Sequence, residues 1–308
     1  MIASLPHLEK GSIVDIIAPA SGCSRDELNK AILFVKELGL KPRVSPRIFK
    51  GKTSILAATD QERFSQLKTA LLAKDSEAIW CIRGGYGSLR LLPSLAKIHR
   101  PKKMKMFLGY SDITTLHLFL NMYWKWPTIH SPMVGRFGRG DNTPAELREM
   151  KNILFGPHET FRHRLHALNS AAKRAKTIRG SIVGGNIATL QSSLGTPWSL
   201  KTDKHIILFE DLGEKPHRID RMLMQMEQAG YFKKARAVIF GDVLFNEAVD
   251  QRIIWKDVIS RFAATQKIPV FKGLQSGHGK INRPIPFLTK TLIRGGSRAE
   301  LVVSLKPV

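Results

Sequence analysis

Three loop features of this 308-residue chain carry side chains that together suit nucleophilic acyl transfer: Ser111, the Glu210-Asp211 pair and His278. A serine hydroxyl is a weak nucleophile until an adjacent base takes its proton, and an imidazole titrates in the right range to do so. A carboxylate then fixes the imidazole tautomer and stabilises the imidazolium. The chain order Ser, Glu, His is one in which such triads occur. His278 lies between Gly277 and Gly279 in a polar loop from Gln275 to Pro284, a poor place for a core histidine. Plainer roles stand beside each of these. Ser111 sits where a helix beginning near Asp112 would start, so on its own segment it reads first as an N-cap. Glu210 and Asp211 serve equally well as N-terminal charges for the helix around Arg218.

The turn that carries Ser111 has a definite pattern. Met106 to Leu108 is a short apolar run that predicts a buried strand, and Gly109 permits a sharp turn into the following helix. A hydroxyl placed there is lifted clear of the sheet, beside unpaired helix N–H groups that can stabilise an oxyanion. The turn resembles the nucleophile elbow of the α/β-hydrolases, with Ile113 where that motif has its second glycine. A second glycine-rich loop, Arg83-Gly-Gly-Tyr-Gly87, lacks the Gly-Lys-Ser/Thr ending of a phosphate loop and the dinucleotide spacing. Its glycines let backbone N–H groups approach a ligand closely, which suits a second oxyanion donor. No His-Glu-x-x-His or Cys-x-x-Cys pattern occurs, and the two cysteines, Cys23 and Cys81, make neither a disulfide framework nor a metal site. His163 and His166 have no cysteine or carboxylate beside them to complete a zinc site, and His117 falls on the helix after Ser111, where it packs.

The elements needed to position these residues can be read in order. Ile13 to Ala18 predicts a strand. Ser24-Arg-Asp-Glu27 is a capping box opening a helix to Leu38, and Thr59-Asp-Gln-Glu62 opens another through Leu72. Arg43 to Ile48 predicts a strand that Pro46 confines to an edge. Ala78 to Ile82 and the Met106 run predict further strands, separated by helices, and Thr128 to Val134 follows as an apolar stretch. Such βαβ units give a parallel sheet with helices on both faces, and ligands bind beyond the carboxyl ends of its strands. The Gly84-Gly85 pair and Ser111 both fall at such ends. From Gly135 to Arg179 the pattern weakens to a helix over Ala145 to Phe155 and a basic run, read as a linker with a solvated face. A second α/β unit starts near Gly180, where Ser181 to Asn186 leads into a helix, followed by strands at His205 and Ala235 with a helix between them, and a final hairpin from Pro286 to Val303. The expected organisation is an N-terminal α/β domain over 1–135, a linker over 136–179 and a smaller C-terminal α/β domain over 180–308.

Composition bounds the setting. With 43% apolar residues the chain can bury a substantial core, and no window approaches the 18 apolar residues of a membrane span. Met1 to Gly11 has no basic flank followed by an apolar core, so no secretory signal is expected, and a reduced cytoplasmic location is the default. Forty-nine Lys+Arg against 25 Asp+Glu give a net charge of +24 and a pI near 10.3, which favours acidic partners. The dense basic runs, Lys97 to Lys105 and Arg162 to Arg179, do not interleave aromatics as single-strand binders do, which argues against nucleic acid.

Taken in order, Asp15-Ile-Ile-Ala-Pro-Ala-Ser21, Arg83-Gly-Gly-Tyr-Gly87, Gly109-Tyr-Ser-Asp-Ile-Thr114, Gly184-Gly-Asn186, Glu210-Asp211 with Arg218-Ile-Asp-Arg221, and Gly277-His278 with Asn282 and Pro286 span nearly the whole chain. In this set the chain resembles the LD-carboxypeptidase family, which includes murein tetrapeptide carboxypeptidases and microcin C immunity peptidases. The resemblance implies a Rossmann-like N-terminal domain, a smaller C-terminal α/β domain and an active site between them. It implies Ser111 as nucleophile, His278 as general base, Glu210 as its orienter, and the N–H groups of Asp112 and Gly85 as the oxyanion hole, with Arg83, Gly84 and Tyr86 near the substrate. No cofactor or metal is implied, and homodimers are common. The implied reaction is release of terminal D-alanine from a murein tetrapeptide in peptidoglycan recycling. Cleavage of a peptidyl-nucleotide antibiotic and a non-catalytic basic binding protein are the alternatives. Two positions depart from the family pattern: Phe287 follows Pro286 where many members carry glycine, and His217 stands where tyrosine is frequent.

Overall fold

The strand segments around Ile13, Ala78 and Met106 are apolar in successive rather than alternate residues, so both faces of each need cover. In the computed structural model they have it. The structure describes residues 5–46, 48–49, 55–156, 160–245 and 249–307, leaving outside it the first four residues of the stretch read for a leader and Arg47 of the expected second strand. The chain runs β1 (Ile13–Ile17), α1 (Arg25–Glu37), β2 (Lys41–Val44), α2 (Asp60–Leu72), β3 (Ser76–Cys81), α3 (Leu92–Leu95), β4 (Met106–Gly109), α4 (Thr114–Met122), β5 (Thr128–His130), α5 (Val134–Gly138) and α6 (Pro144–Phe155). It continues β6 (Thr160–Ala167), α7 (Ser170–Arg174), β7 (Thr177–Gly180), β8 (Ile182–Asn186), α8 (Ile187–Ser192), β9 (Ile206–Leu212), α9 (Pro216–Gln228), β10 (Ala237–Leu244), α10 (Val249–Thr265), β11 (Val270–Lys272), β12 (Ile285–Phe287), β13 (Thr289–Arg294) and β14 (Arg298–Pro307).

The first sheet has the order β12-β5-β4-β3-β1-β2, with β1 to β5 parallel and β2 at one edge; the strand expected over Arg43 to Ile48 runs instead from Lys41 to Val44 and stops before Pro46. Val14, Ile16, Ala78, Trp80 and Leu108 pack on one face, under α1, α5 and α6; Ile17, Ile79, Cys81 and Phe107 pack on the other, with α2, α3 and α4. Ser24 caps α1 by accepting from the Glu27 N–H, and Thr59 and Glu62 form the complete capping box of α2. The second sheet has the order β7-β13-β14-β6-β11-β10-β9-β8, parallel from β8 to β11 and antiparallel beyond. Its eight strands make it the broader sheet, although the C-terminal segment is expected to form the smaller unit. Among the described residues no helix is long and apolar enough to cross a membrane.

Two further expectations are corrected. The stretch 136–179 is built into the fold rather than linking it: α5 and α6 cover the first sheet, and β6 lies between β14 and β11. Along β6 Phe161, His163 and Leu165 are buried while Arg162 and Arg164 are exposed, so the basic run is the outward side of a strand of period two. The segment from Pro286 is not one hairpin either. β12 crosses to pair antiparallel with β5, and only β13 and β14 form the hairpin, with Leu288 at φ 57 between the crossing strand and its return.

Helix α4 decides how the units meet. Every residue in it is buried, and of its polar members Thr114, His117 and Asn121 are hydrogen-bonded inside the fold, as suits a helix without a solvent face. Leu116, Phe119 and Leu120 pack into the core of the first sheet, whereas Leu118 and Met122 pack into that of the second. The Thr114 hydroxyl accepts the Asn186 N–H at 3.0 Å, tying the start of α4 to the end of β8.

Candidate active site

Ser111 occupies the turn from β4 into α4. Tyr110 is extended, Ser111 has φ 62, and a short 3₁₀ turn over Ser111–Ile113 leads into the helix. The left-handed region is costly for a residue with a Cβ and persists only where surrounding contacts impose it. Here they do. The Gly109 carbonyl accepts from Ser131 N at 3.0 Å and from His117 Nε2 at 2.8 Å. His117 Nδ1 is 2.8 Å from the Thr128 hydroxyl, so this histidine is a buried brace, with burial holding its pKa down at about 3. The isoleucine that replaces the elbow's second glycine fits because the first is present: a Cβ on Gly109 would lie 2.9 Å from Ile113 Cγ2. The N-cap role is not what Ser111 does, since no side-chain cap closes either the 3₁₀ turn or α4.

Its hydroxyl instead faces His278. Ser111 Oγ lies 3.2 Å from His278 Nε2, and His278 Nδ1 lies 2.6 Å from Glu210 Oε2. An ionised carboxylate only accepts, so Nδ1 carries the proton and Nε2 is left to accept from the serine. Burial alone would lower the His278 pKa, but the hydrogen bond and charge of Glu210 outweigh it and raise it above the ordinary imidazole value. Burial likewise opposes ionisation of the fully buried Glu210, and the His130 and His278 imidazoles overcome it and hold its pKa at about 2. His130 Nε2 is 3.9 Å from Glu210 Oε1, an electrostatic approach rather than a hydrogen bond. Gly277 has to be glycine: it sits at φ +130, and a Cβ there would lie 2.9 Å from Glu210 Cβ.

Residues of the N-terminal unit brace the His278 loop. Arg136 donates to the carbonyls of Gly279 at 3.2 Å and Lys280 at 2.6 Å, and buried Glu146 accepts from Asn282 N at 2.7 Å. Asn282 Oδ1 accepts from Gly277 N at 3.0 Å, and Arg283 Nε pairs with Glu149 at 2.9 Å. None of Arg136, Glu146 or His130 stands out in the sequence, nor does Tyr110, whose ring lies 4.8 Å from that of His278. The capping box Thr143-Pro-Ala-Glu146 is the one local signal, and it marks Glu146 as a helix residue rather than a brace. Asp211 turns away from the imidazole. It accepts the Ala188 N–H at 3.0 Å at the start of α8, rather than serving α9, and burial pushes its pKa up to about 7.

A cleft of about 1080 Å³ opens over Ser111 and His278. Arg83, Gly84, Gly85, Tyr86 and Asp112 all line it, so the predicted site residues meet in one place, apart from Glu210, which is buried behind His278. Gly84 packs on the serine: a Cβ there would lie 3.0 Å from Ser111 Cβ. Gly85 has φ +102, and a Cβ would collide with Ser21 Cβ at 2.6 Å. Ser21, the end of the first sequence motif, ties this loop down by donating its N–H to Gly84 O at 3.1 Å and accepting the Tyr86 N–H at 3.2 Å. Among the described residues neither the Asp112 nor the Gly85 N–H has an intramolecular acceptor, which leaves both available to an oxyanion.

Arg63 holds the same loop from behind. Wholly buried, it donates to the carbonyls of Gly87 at 2.9 Å, Ala58 at 3.3 Å and Pro19, and pairs with Asp60. Arg63→Met leaves the Pro19 and Ala58 carbonyls without a donor and takes one of two from Gly87 and Asp60, which Arg90 also contacts, and the expected destabilisation is about 3 kcal/mol. Urea denaturation checks it; a midpoint unchanged from wild type would show that water replaces the guanidinium without loss.

The family model for the LD-carboxypeptidase N-terminal domain matches residues 14–131, and that for the C-terminal domain matches residues 179–293. A Rickettsia conorii protein provisionally named a carboxypeptidase is 36% identical over 305 residues, covering 98% of this chain and 94% of that protein. The murein tetrapeptide carboxypeptidase of Pseudomonas aeruginosa is 28% identical over 295 residues, 92% of this chain and 94% of that one. The crystal structure of muramoyltetrapeptide carboxypeptidase from Oxalobacter formigenes superposes with a TM-score of 0.83 at 26% identity, over 96% of this chain and all 100% of the other. Matching both domain models in order, and a relative over nearly its whole length, the chain belongs to the LD-carboxypeptidase family.

Proposed function

We propose that the protein is a serine peptidase that releases the terminal D-alanine from murein tetrapeptides. The observation that carries this reading is the line from Ser111 Oγ through His278 to Glu210, at 3.2 and 2.6 Å, assembled across two units. Ser111 attacks the carbonyl of the L-configured third residue while His278 Nε2 takes the hydroxyl proton. The developing oxyanion is met by the N–H groups of Asp112 and Gly85. His278 returns the proton to the departing amine of D-alanine, leaving an ester on Ser111. Water, deprotonated by the same imidazole, then hydrolyses the ester and frees the tripeptide. Glu210 keeps Nδ1 protonated and stabilises the imidazolium in both halves. No step calls for a cofactor. The setting that suits this reading is a cytoplasmic homodimer acting on recycled wall peptides, whose several carboxylates are drawn to a chain of charge +24.

The test is to incubate the protein with murein tetrapeptide and follow the peptide by mass spectrometry. Loss of one alanine residue is expected. An intact tetrapeptide after prolonged incubation, with the protein shown to be folded, would sink the reading.

A further inference from the structure

A peptidase that acts beside a free chain terminus needs a group that recognises the terminal carboxylate. Three guanidinium groups line the cleft over Ser111: Arg83, Arg136 and Arg139. Two are already engaged. Arg136 donates to Glu146 Oε1 at 3.1 Å as well as to the Gly279 and Lys280 carbonyls. Arg139 pairs with Glu27 and with Asp141 Oδ2 at 2.7 Å, which also neutralises the acidic groups on that side of the cleft. Arg83 is exposed, and among the described residues it makes no hydrogen bond or ion pair. It also follows directly on the contact with the nucleophile, being the neighbour of Gly84, which packs on Ser111.

We infer that Arg83 is the receptor for the α-carboxylate of the leaving residue, and so makes the site select a chain end over an internal bond. The inference rests on the hydrolysis at Ser111 proposed above. Along the leaving residue the carboxylate carbon lies only about 4 Å from the scissile carbonyl carbon, well within the reach of an arginine rooted beside Gly84. A planar guanidinium matches a carboxylate through two parallel hydrogen bonds, which lysine cannot reproduce.

The experiment compares murein tetrapeptide with the same peptide amidated at its terminus, using wild type, Arg83→Ala and Arg83→Lys. Wild type is expected to favour the free acid by about 10- to 100-fold in kcat/KM, the range for a hydrogen-bonded charge. In Arg83→Ala that acid-to-amide ratio falls toward one, mainly through a raised KM for the acid, and Arg83→Lys keeps part of it. Arg83→Ala losing equally on both peptides overturns the assignment, as does a wild type that cleaves both at the same rate. A wild type that cleaves neither overturns the proposed hydrolysis itself, so the two failures are told apart.

Discussion

Ser111→Ala lowers the kcat for D-alanine release by about 10⁵- to 10⁶-fold while leaving KM within a few-fold of wild type. The size follows from what remains. Without the hydroxyl there is no acyl-enzyme, and the residual rate comes from the oxyanion donors and from holding the substrate, the pattern found when the serine of a triad is removed. The fold is expected to survive. The hydroxyl caps no helix, and the alanine inherits the same Cβ in the same left-handed turn, still imposed by the Gly109 contacts with His117 and Ser131. Thermal unfolding therefore separates the two explanations of a dead variant, since the melting temperature should move by no more than a few degrees. Intact-mass spectrometry with a fluorophosphonate gives a second reading, with one adduct on wild type and none on Ser111→Ala. A variant that keeps a hundredth of wild-type turnover would place the nucleophile elsewhere.

Where sequence reading succeeded, the cause was local. The runs at Ile13, Ala78 and Met106 declare doubly covered strands because burial on both faces selects apolar residues in succession, apart from Asp15, which is paired with Arg43. Ser24 and Thr59 mark helix starts because their side chains bond backbone only three residues away. Ser111 shows the limit of such reasoning. A serine before a helix is a cap or a nucleophile according to which atom its hydroxyl meets, and that atom belongs to His278, 167 positions along the chain. The same holds for His130. It is an ordinary strand residue until β5 is placed beside β4 and the second unit sets Glu210 opposite it. The misread stretch at 162–179 failed for another reason. Arginines at every second position raise the charge of β6 without spoiling its buried side, so composition pointed to solvent while the period of two pointed to a sheet. The crossing of β12 is beyond local reading altogether, because three residues pair with whichever sheet edge lies within reach.

That crossing and helix α4 give the triad its precision. Nucleophile and base come from different units, so their 3.2 Å separation depends on how the units are locked. The lock is a fully buried helix shared by both cores, a strand donated from the C-terminal segment to the first sheet, and the Arg136 and Glu146 bonds to the loop of His278. Packed interfaces of this kind do not deform gradually, which is how a site between two units keeps its geometry.

Glu210→Gln tests the electrostatic half of the arrangement, and two effects are expected together. The first is a fall in kcat of about 10⁴-fold near neutral pH, because an amide can present its N–H to Nδ1 and stabilise the tautomer whose Nε2 faces Ser111 with a proton instead of a lone pair. The second is a shift of the acid limb of kcat/KM. Only the neutral imidazole can take the serine proton, so the rate falls as pH drops through the His278 pKa. In the wild type Glu210 raises that pKa against the opposing effect of burial. Replace the carboxylate and burial remains, so the limb moves to lower pH. The charges of Asp211 and Asp242 also pull the imidazole pKa upward from a distance, the latter itself pushed up to about 6 by burial, so they moderate the shift without reversing it. Stability follows the same linkage. The Glu210 pKa is depressed from 4.5 to about 2, so the stability it contributes is present above the ordinary value and is lost as pH falls through that window. The variant lacks that loss between pH 4.5 and 2, which denaturant titrations at the two ends measure directly. An acid limb that stays where it is, or moves upward, would mean that the charge on Glu210 does not govern the base.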